Sequence, residues 1–118
     1  MGKSYRDLIA WQKSIQLVAT IYRKTRVLPA DELYGPTKQL RRAAVSVPSN
    51  IAEGQGRKSN GEFGRFLRIA MGSLMEVETQ LTIAGILDYM PQERVDELLA
   101  LTNELGRILN GLITSVGN

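Results

Sequence analysis

Seven lysine and arginine residues have the types and the spacing needed to bind phosphate groups. On predicted helices, Lys38, Arg41 and Arg42 share one face of one helix, and Arg65 and Arg68 share a face of the next. Guanidinium groups bind phosphate oxygens through paired hydrogen bonds. The set therefore predicts a nucleic-acid-binding surface, unless it is a solvated face or forms ion pairs with an acidic fourth helix. Its members are Lys38, Arg41, Arg42, Arg57, Lys58, Arg65 and Arg68.

The charges are distributed unevenly along the chain, although the net charge is only +3. Residues 1–68 contain thirteen Lys and Arg against five Asp and Glu, whereas residues 69–118 contain two against seven. One interpretation is that the first part of the chain faces a polyanion. The other is that oppositely charged helices pack beside each other, within one subunit or between subunits.

The chain has no histidine and no cysteine, so it lacks residues that many catalytic mechanisms need. This excludes Ser-His-Asp triads, imidazole or thiolate metal sites, disulfides, and the Glu-x-x-His pairs of di-iron helical bundles. Glu76 and Glu78 point about 200° apart on a helix, so they do not form a catalytic pair. We expect no enzymatic activity, no cofactor and no metal.

The glycine-rich segment EGQGRKSNGEFG does not match a phosphate-binding loop. No strand precedes it, and neither Gly-Lys-Ser/Thr nor the full G-x-G-x-x-G pattern is present. A flexible cap and turn between two helices explains it better. Ser59 opens the next helix, whose unpaired N–H groups would attract an anion beside Arg57 and Lys58.

Apolar periodicity predicts four helices, at about residues 5–26, 31–53, 59–87 and 91–115. Ser59 and Glu62 have the spacing of a capping box, and Pro91 suits the first turn of the last helix. Pro29 ends the first helix, and Asp31 or Glu32 begins the second. Short connections make successive helices antiparallel. We predict an all-α, up-down-up-down four-helix bundle that forms a single domain over residues 1–118. The buried seam of its first helix is predicted to be Leu8, Trp11, Ile15, Val18 and Tyr22.

The second helix contains a proline in its interior. Pro48 removes one backbone donor and clashes with the carbonyl four residues back, at a cost of about 3 kcal/mol. We therefore expect a kink or a split there, with Asn50 either satisfying the disturbed backbone or making a subunit or ligand contact. The buried stripe of this helix is predicted to be Leu40, Ala43, Ala44, Val47 and Ile51.

Helices 3 and 4 have more apolar faces than a lone bundle can bury. The predicted seam of helix 3 is Leu67, Ala70, Leu74, Val77, Leu81 and Ala84, and that of helix 4 is Val95, Leu98, Thr102, Leu105, Leu109, Leu112 and Val116. Ile69, Ile83 and Ile86 lie beside the seam of helix 3, and further leucines and isoleucines widen the apolar face of helix 4. Close contact with another helix would explain the interior glycines Gly72 and Gly85. Large apolar surfaces mark interfaces, so we predict a homo-oligomer.

The run SVPSNIAEG, preceded by QLRRAA and followed by GEFGRFLRIAMGSLMEVETQL, resembles the four-helix-bundle proteins encoded in intervening sequences of bacterial 23S ribosomal RNA genes. The accessory variability proteins of diversity-generating retroelements resemble the same family. The segment YRDLIAWQKSIQLV fits the first helix of that family. The resemblance covers about residues 5–112. It implies a bundle that assembles into rings, often pentameric, with a basic surface for nucleic acid and no established enzymatic activity.

The sequence predicts a cytoplasmic protein, because the N-terminus has no apolar signal core and no apolar run reaches the ~20 residues of a membrane span. The predicted function is that of a non-enzymatic, homo-oligomeric accessory of RNA, DNA or a ribonucleoprotein partner. The alternative is a protein-binding assembly scaffold that does not bind nucleic acid.

Overall fold

The structure, a computed structural model, describes residues 4–26 and 36–117. A short 3-10 helix at Tyr5–Asp7 precedes four α-helices, and the described residues contain no strand, which confirms the all-α prediction. The predicted turn at Pro29 and the predicted helix start at Asp31 or Glu32 lie outside the described residues. The helices are α1 (Ile9–Thr25), α2 (Pro36–Gln55), α3 (Asn60–Ile86) and α4 (Gln92–Gly117).

Contacts between the helices show that each one runs antiparallel to its neighbour. The hydroxyls of Ser46 and Ser73 lie 2.8 Å apart, and Gly54 contacts Phe66 further along, so α2 and α3 run in opposite directions. On the closing side of the bundle, Lys13 pairs with Glu104 and Lys24 with Glu97, which makes α1 and α4 antiparallel as well. The helices therefore pack around one core in the order α1, α2, α3, α4.

The predicted buried stripes of α2 and α3 are confirmed. Every residue assigned to the α2 stripe is buried, and so is the predicted seam of α3, which runs from Leu67 to Ala84. In α4 the seam residues from Val95 to Leu109 are buried, whereas Leu112 and Val116 are partly buried. Periodicity identified these faces because their buried residues recur at three- and four-residue steps.

The predicted seam of the first helix is wrong. The stripe that faces the core contains small and polar residues: Ala10, Ser14, Leu17, Ile21 and Thr25. Ser14 and Thr25 fit there because their hydroxyls donate to the helix backbone, to the carbonyls of Trp11 and Ile21. Of the predicted seam, Leu8, Trp11 and Val18 are partly buried against the core, whereas 40% of Ile15 and 37% of Tyr22 remain exposed.

Pro48 is buried inside α2, which continues through it as one helix, so the predicted split does not occur. The kink stays a prediction. Polar side chains occupy the surrounding turn: Ser49 donates to the carbonyl of Val45, and the amide of Asn50 donates to the carbonyl of Ser46 at 2.8 Å. Asn50 therefore bonds the backbone beside the proline, although the carbonyl that Pro48 leaves without its donor is that of Ala44.

The two interior glycines of α3 differ. A Cβ added to Gly85 would lie 3.2 Å from Val95 Cγ2, so close packing of α3 against α4 explains this glycine. A Cβ added to Gly72 would meet no atom within 4 Å. The part of the subunit that the structure describes therefore does not require a glycine at position 72.

Helix α3 begins after Ser59, as predicted. The Ser59 hydroxyl accepts from the Glu62 N–H at 3.1 Å, which is the first half of a capping box. The Glu62 carboxylate turns instead toward Arg65. A complete capping box, missed in the sequence, joins Ser4 and Asp7 at the start of the chain.

Candidate nucleic-acid interface

The seven predicted cations occupy two separate places on the bundle. Lys38, Arg41 and Arg42 lie in the first turns of α2, whereas the other four surround the connection between α2 and α3. The thirteen positions from Arg42 to the end of α2 at Gln55 span about 20 Å at 1.5 Å per residue. The set therefore forms two basic clusters rather than one continuous face.

Arg41 holds α1 against α2. Its Nε donates to the buried Thr25 hydroxyl at 2.9 Å, and its Nη2 donates to the Tyr22 carbonyl at 3.3 Å. The guanidinium also lies 4.5 Å from the centre of the Tyr22 ring, within cation–π range. These contacts give Arg41 a structural role at the end of α1.

Arg57 and Arg65 both pack on Phe66, each with its guanidinium carbon 4.7 Å from the ring centre. Each also pairs with a carboxylate of its own segment, Arg57 with Glu53 at 2.8 Å and Arg65 with Glu62 at 3.3 Å. The hydrogen bond from Arg65 and its positive charge lower the pKa of Glu62, and Arg57 adds a smaller effect. The charges of these two arginines are therefore partly compensated within the subunit.

The remaining four cations are exposed, and within the described ranges they have no ion pair and no side-chain hydrogen bond. Lys38 and Arg42 belong to the first cluster, Lys58 and Arg68 to the second. Their positive charge is available to an external anion.

The acidic fourth helix does not neutralise this set. In the part of the chain that the structure describes, its ion pairs go to α1: Lys13 with Glu104 at 3.7 Å, and Lys24 with Glu97 at 3.5 Å. Oppositely charged helices thus pack side by side, as one interpretation of the charge asymmetry required. The helices involved are α1 and α4, so α4 does not compensate the seven cations among the described residues of one subunit.

An apolar groove of about 280 Å³ lies between α1 and α2, next to the first basic cluster. Trp11, Ile15 and Val18 form one wall, and Val45 and Pro48 form much of the other. Tyr5 closes one end, where its ring contacts Trp11 edge to face at 5.2 Å between centroids. Sequence reasoning missed this groove because it placed the α1 stripe in the core.

Comparison with known families identifies the chain. The family described as 23S rRNA-intervening sequence protein matches residues 6–111, which include all four helices almost completely. The chain belongs to this family. No match is found among curated proteins.

A solved structure supports the fold. The chain is similar to a crystal structure of a protein with unknown function from the S23 ribosomal protein family of Bacteroides thetaiotaomicron VPI-5482. The TM-score is 0.83 at 21% identity, with 90% of this chain and 96% of that chain covered. At this identity the likeness establishes the bundle and says nothing of its ligand.

Across residues 4–26 and 36–117, no three acidic side chains come together as metal ligands would. Over the same ranges, no helix is long and apolar enough to cross a membrane.

Proposed function

We propose that this protein is a non-enzymatic, homo-oligomeric accessory of nucleic acid or of a ribonucleoprotein, located in the cytoplasm. It binds a polyanion electrostatically through its basic clusters on α2 and at the α2–α3 connection. Membership of the 23S rRNA-intervening sequence family is compatible with this role. The resemblance to accessory variability proteins of diversity-generating retroelements also supports a ribonucleoprotein partner.

One observation carries the proposal: Lys38, Arg42, Lys58 and Arg68 are exposed and have no ion pair among the described residues of the subunit, although acidic side chains are available on α4. The ion pairs of α4 go to Lys13 and Lys24 of α1 instead. Exposed cations without an ion pair attract nucleic acid through counterion release, which is largely independent of sequence.

Self-assembly is supported by apolar side chains that the bundle leaves in solvent. On α3, 41% of Ile69, 43% of Met75 and 73% of Ile86 are exposed, which is unusual for three large apolar residues of one helix. The family resemblance favours a pentameric ring. A ring would repeat both basic clusters around its circumference and would bind a polyanion multivalently.

The test compares two variants that lose the same charge. In the first, Lys38, Lys58 and Arg68 are replaced by Gln; in the control, Lys13, Lys24 and Arg107, which lie on α1 and α4, are replaced by Gln. Arg42 stays in place because it lies one turn from the groove residue Val45, so its replacement would also alter the surface beside the groove. Binding to duplex DNA and RNA is measured by fluorescence anisotropy at several salt concentrations.

We expect the first variant to bind all sequences more weakly and to flatten the dependence of log K on log salt by about 0.9 for each duplex-DNA phosphate that it no longer neutralises. The control should keep the parent slope. Absence of binding by the parent at low salt would overturn the proposal, and so would equal losses in both variants.

The second candidate is an assembly scaffold without nucleic-acid binding. It is favoured by the contacts of Arg41, Arg57 and Arg65, which are engaged within the subunit. A parent protein that assembles but does not bind nucleic acid at low salt would establish this alternative.

A further inference from the structure

We infer that the outer face of α3 docks into the α1–α2 groove of a second copy of this chain, so that subunits join head to tail. This inference rests on the proposed self-assembly and names the two surfaces that form the contact. The outer face of α3 is here the surface formed by Ile69, Gly72, Met75 and Glu76. The groove is the apolar surface between α1 and α2 described above.

The groove is an apolar surface that is partly exposed to solvent. It exposes the most regular apolar stripe of α1, and Val45 of α2 is 39% exposed at its edge. Burial of such side chains provides about 25 cal/mol per Å² of apolar surface removed from water. A partner for this groove must therefore present apolar side chains from a helix or a strand.

The outer face of α3 presents such side chains and a gap between them. Ile69 and Met75 are each about two-fifths exposed, and Gly72 lies between them. A glycine in a helix interior costs about 1 kcal/mol relative to alanine, and no atom of the subunit requires one at this position. Close approach of a second backbone would account for it.

The two surfaces lie at matching heights along the bundle. The Ser46–Ser73 hydrogen bond fixes the register of the antiparallel pair α2 and α3. Ile69 lies four residues from Ser73, and Asn50 lies four residues from Ser46 in the same direction, so Ile69 is level with the Ser49 wall of the groove. In a closed ring whose axis runs parallel to the bundles, all subunits stand at one height, and these residues would meet.

The charges on the two surfaces are complementary at the same register. Glu76 lies three residues beyond Ser73, about 4.5 Å along the axis, and Arg42 lies four residues before Ser46, about 6 Å in the same direction. Both side chains are exposed, and neither has an ion pair within the described residues. The contact therefore places Glu76 of one subunit opposite Arg42 of the next and leaves Lys38, Lys58 and Arg68 for the polyanion.

Two different surfaces that bind each other form a heterologous contact, which closes into a ring or continues as a filament. This geometry makes a specific mixing experiment possible. Val45→Lys blocks the groove but leaves the α3 face intact, whereas Ile69→Lys blocks the α3 face but leaves the groove intact. Ile9→Lys is the matched control, because Ile9 is 61% exposed and lies next to α4 on another side of the bundle.

Light scattering coupled to size exclusion measures mass for the parent, each variant and a 1:1 mixture, and circular dichroism checks that each variant is folded. We expect an assembled parent and an assembled Ile9→Lys control, monomers for Val45→Lys and for Ile69→Lys alone, and a dimer when these two are mixed. Only one intact contact remains in the mixture, so growth stops at two subunits.

Assembled Val45→Lys and Ile69→Lys variants would overturn the inference while leaving the proposed self-assembly intact. Folded monomers that fail to form a dimer on mixing would also overturn it, in favour of contacts between like surfaces. A monomeric parent would instead overturn the proposed self-assembly itself.

Discussion

Gly54 of α2 and Phe66 of α3 are packed so closely that a Cβ added to Gly54 would lie 2.5 Å from Phe66 Cβ. The same added atom would lie 3.2 Å from Phe63 Cδ1, so two side chains of α3 enclose the glycine. The last turn of α2 can approach α3 only because position 54 has no side chain. Phe66 in turn supports Arg57 and Arg65, so this close contact also positions the second basic cluster.

We expect Gly54→Ala to destabilise the protein, because α2 and α3 must move apart. Overpacking of this kind costs about 1–3 kcal/mol, more than the 0.5–1 kcal/mol that alanine gains over glycine in a helix. Denaturant unfolding measures the loss. The matched control is Gly61→Ala in the first turn of α3, where the nearest atom is 3.9 Å away and alanine should stabilise. A stable Gly54→Ala variant would show that the helices separate without cost.

Arg41 should contribute to stability, whereas Lys38 should not. Arg41→Gln removes hydrogen bonds to Thr25 and to the Tyr22 carbonyl, and leaves the buried Thr25 hydroxyl with fewer partners. A loss of about 1 kcal/mol is expected for bonds of this kind at a partly exposed site. Lys38→Gln, one turn away on the exposed surface, serves as control and should leave the unfolding midpoint unchanged. Equal midpoints for both variants would contradict the structural role of Arg41.

The helices and their order could be predicted from the sequence, since apolar periodicity and proline positions are local signals. The buried stripes of α2 and α3 followed for the same reason. For α1 the rule failed: Ser14 and Thr25 are buried because their hydroxyls bond backbone carbonyls, whereas Trp11, Ile15 and Val18 line the groove beside α2. Periodicity identifies an apolar face but does not reveal which neighbour covers it.

The candidate site was predicted only in part. The sequence identified the cations, but it could not show that Arg41 would donate hydrogen bonds to Thr25 and to the Tyr22 carbonyl. Nor could it show that Arg57 and Arg65 would both pack on the ring of Phe66. Those contacts join residues on different elements, and their geometry depends on helix rotation. The sequence also could not show that the acidic residues of α4 would pair with α1, because the distance between these two helices is set by closure of the bundle.

Replacement of Pro48 by Ala should alter assembly more than helix content. Alanine restores an N–H for the Ala44 carbonyl and removes the proline ring from the groove wall, so α2 should straighten and the groove should change shape. We expect circular dichroism to show equal or slightly greater helicity, and light scattering to show weaker association. The control is Pro91→Ala, at an exposed proline just before α4. Unchanged assembly and unchanged thermal stability in Pro48→Ala would show that the proline has no architectural role.

The pKa of Glu62 should report the ion pair at the second basic cluster. Arg65 lowers this pKa from its usual 4.5, mainly by hydrogen bonding and then by charge. Because the pKa is lowered in the folded state, the stabilisation is present above the usual value and is lost as the pH falls through the lowered pKa. NMR titration of the carboxyl carbon should show a higher pKa in Arg65→Gln and a smaller rise in Arg57→Gln. An unchanged value in Arg65→Gln would mean that the pair does not form in solution.

Gly72→Ala should have opposite effects on the stability of the single subunit and on the association of subunits. Alanine is better than glycine inside a helix by about 0.5–1 kcal/mol, and no atom of the subunit opposes it, so dissociated subunits should become more stable. Subunit association should nevertheless weaken, by roughly tenfold if the added methyl costs about 1.4 kcal/mol at the contact. Gly111→Ala is the matched control, because Gly111 is an exposed interior glycine of α4 that is equally open. It should stabilise the subunit and leave association unchanged, since α4 does not enter the inferred contact. Equal association of the two variants would show that no second backbone approaches Gly72.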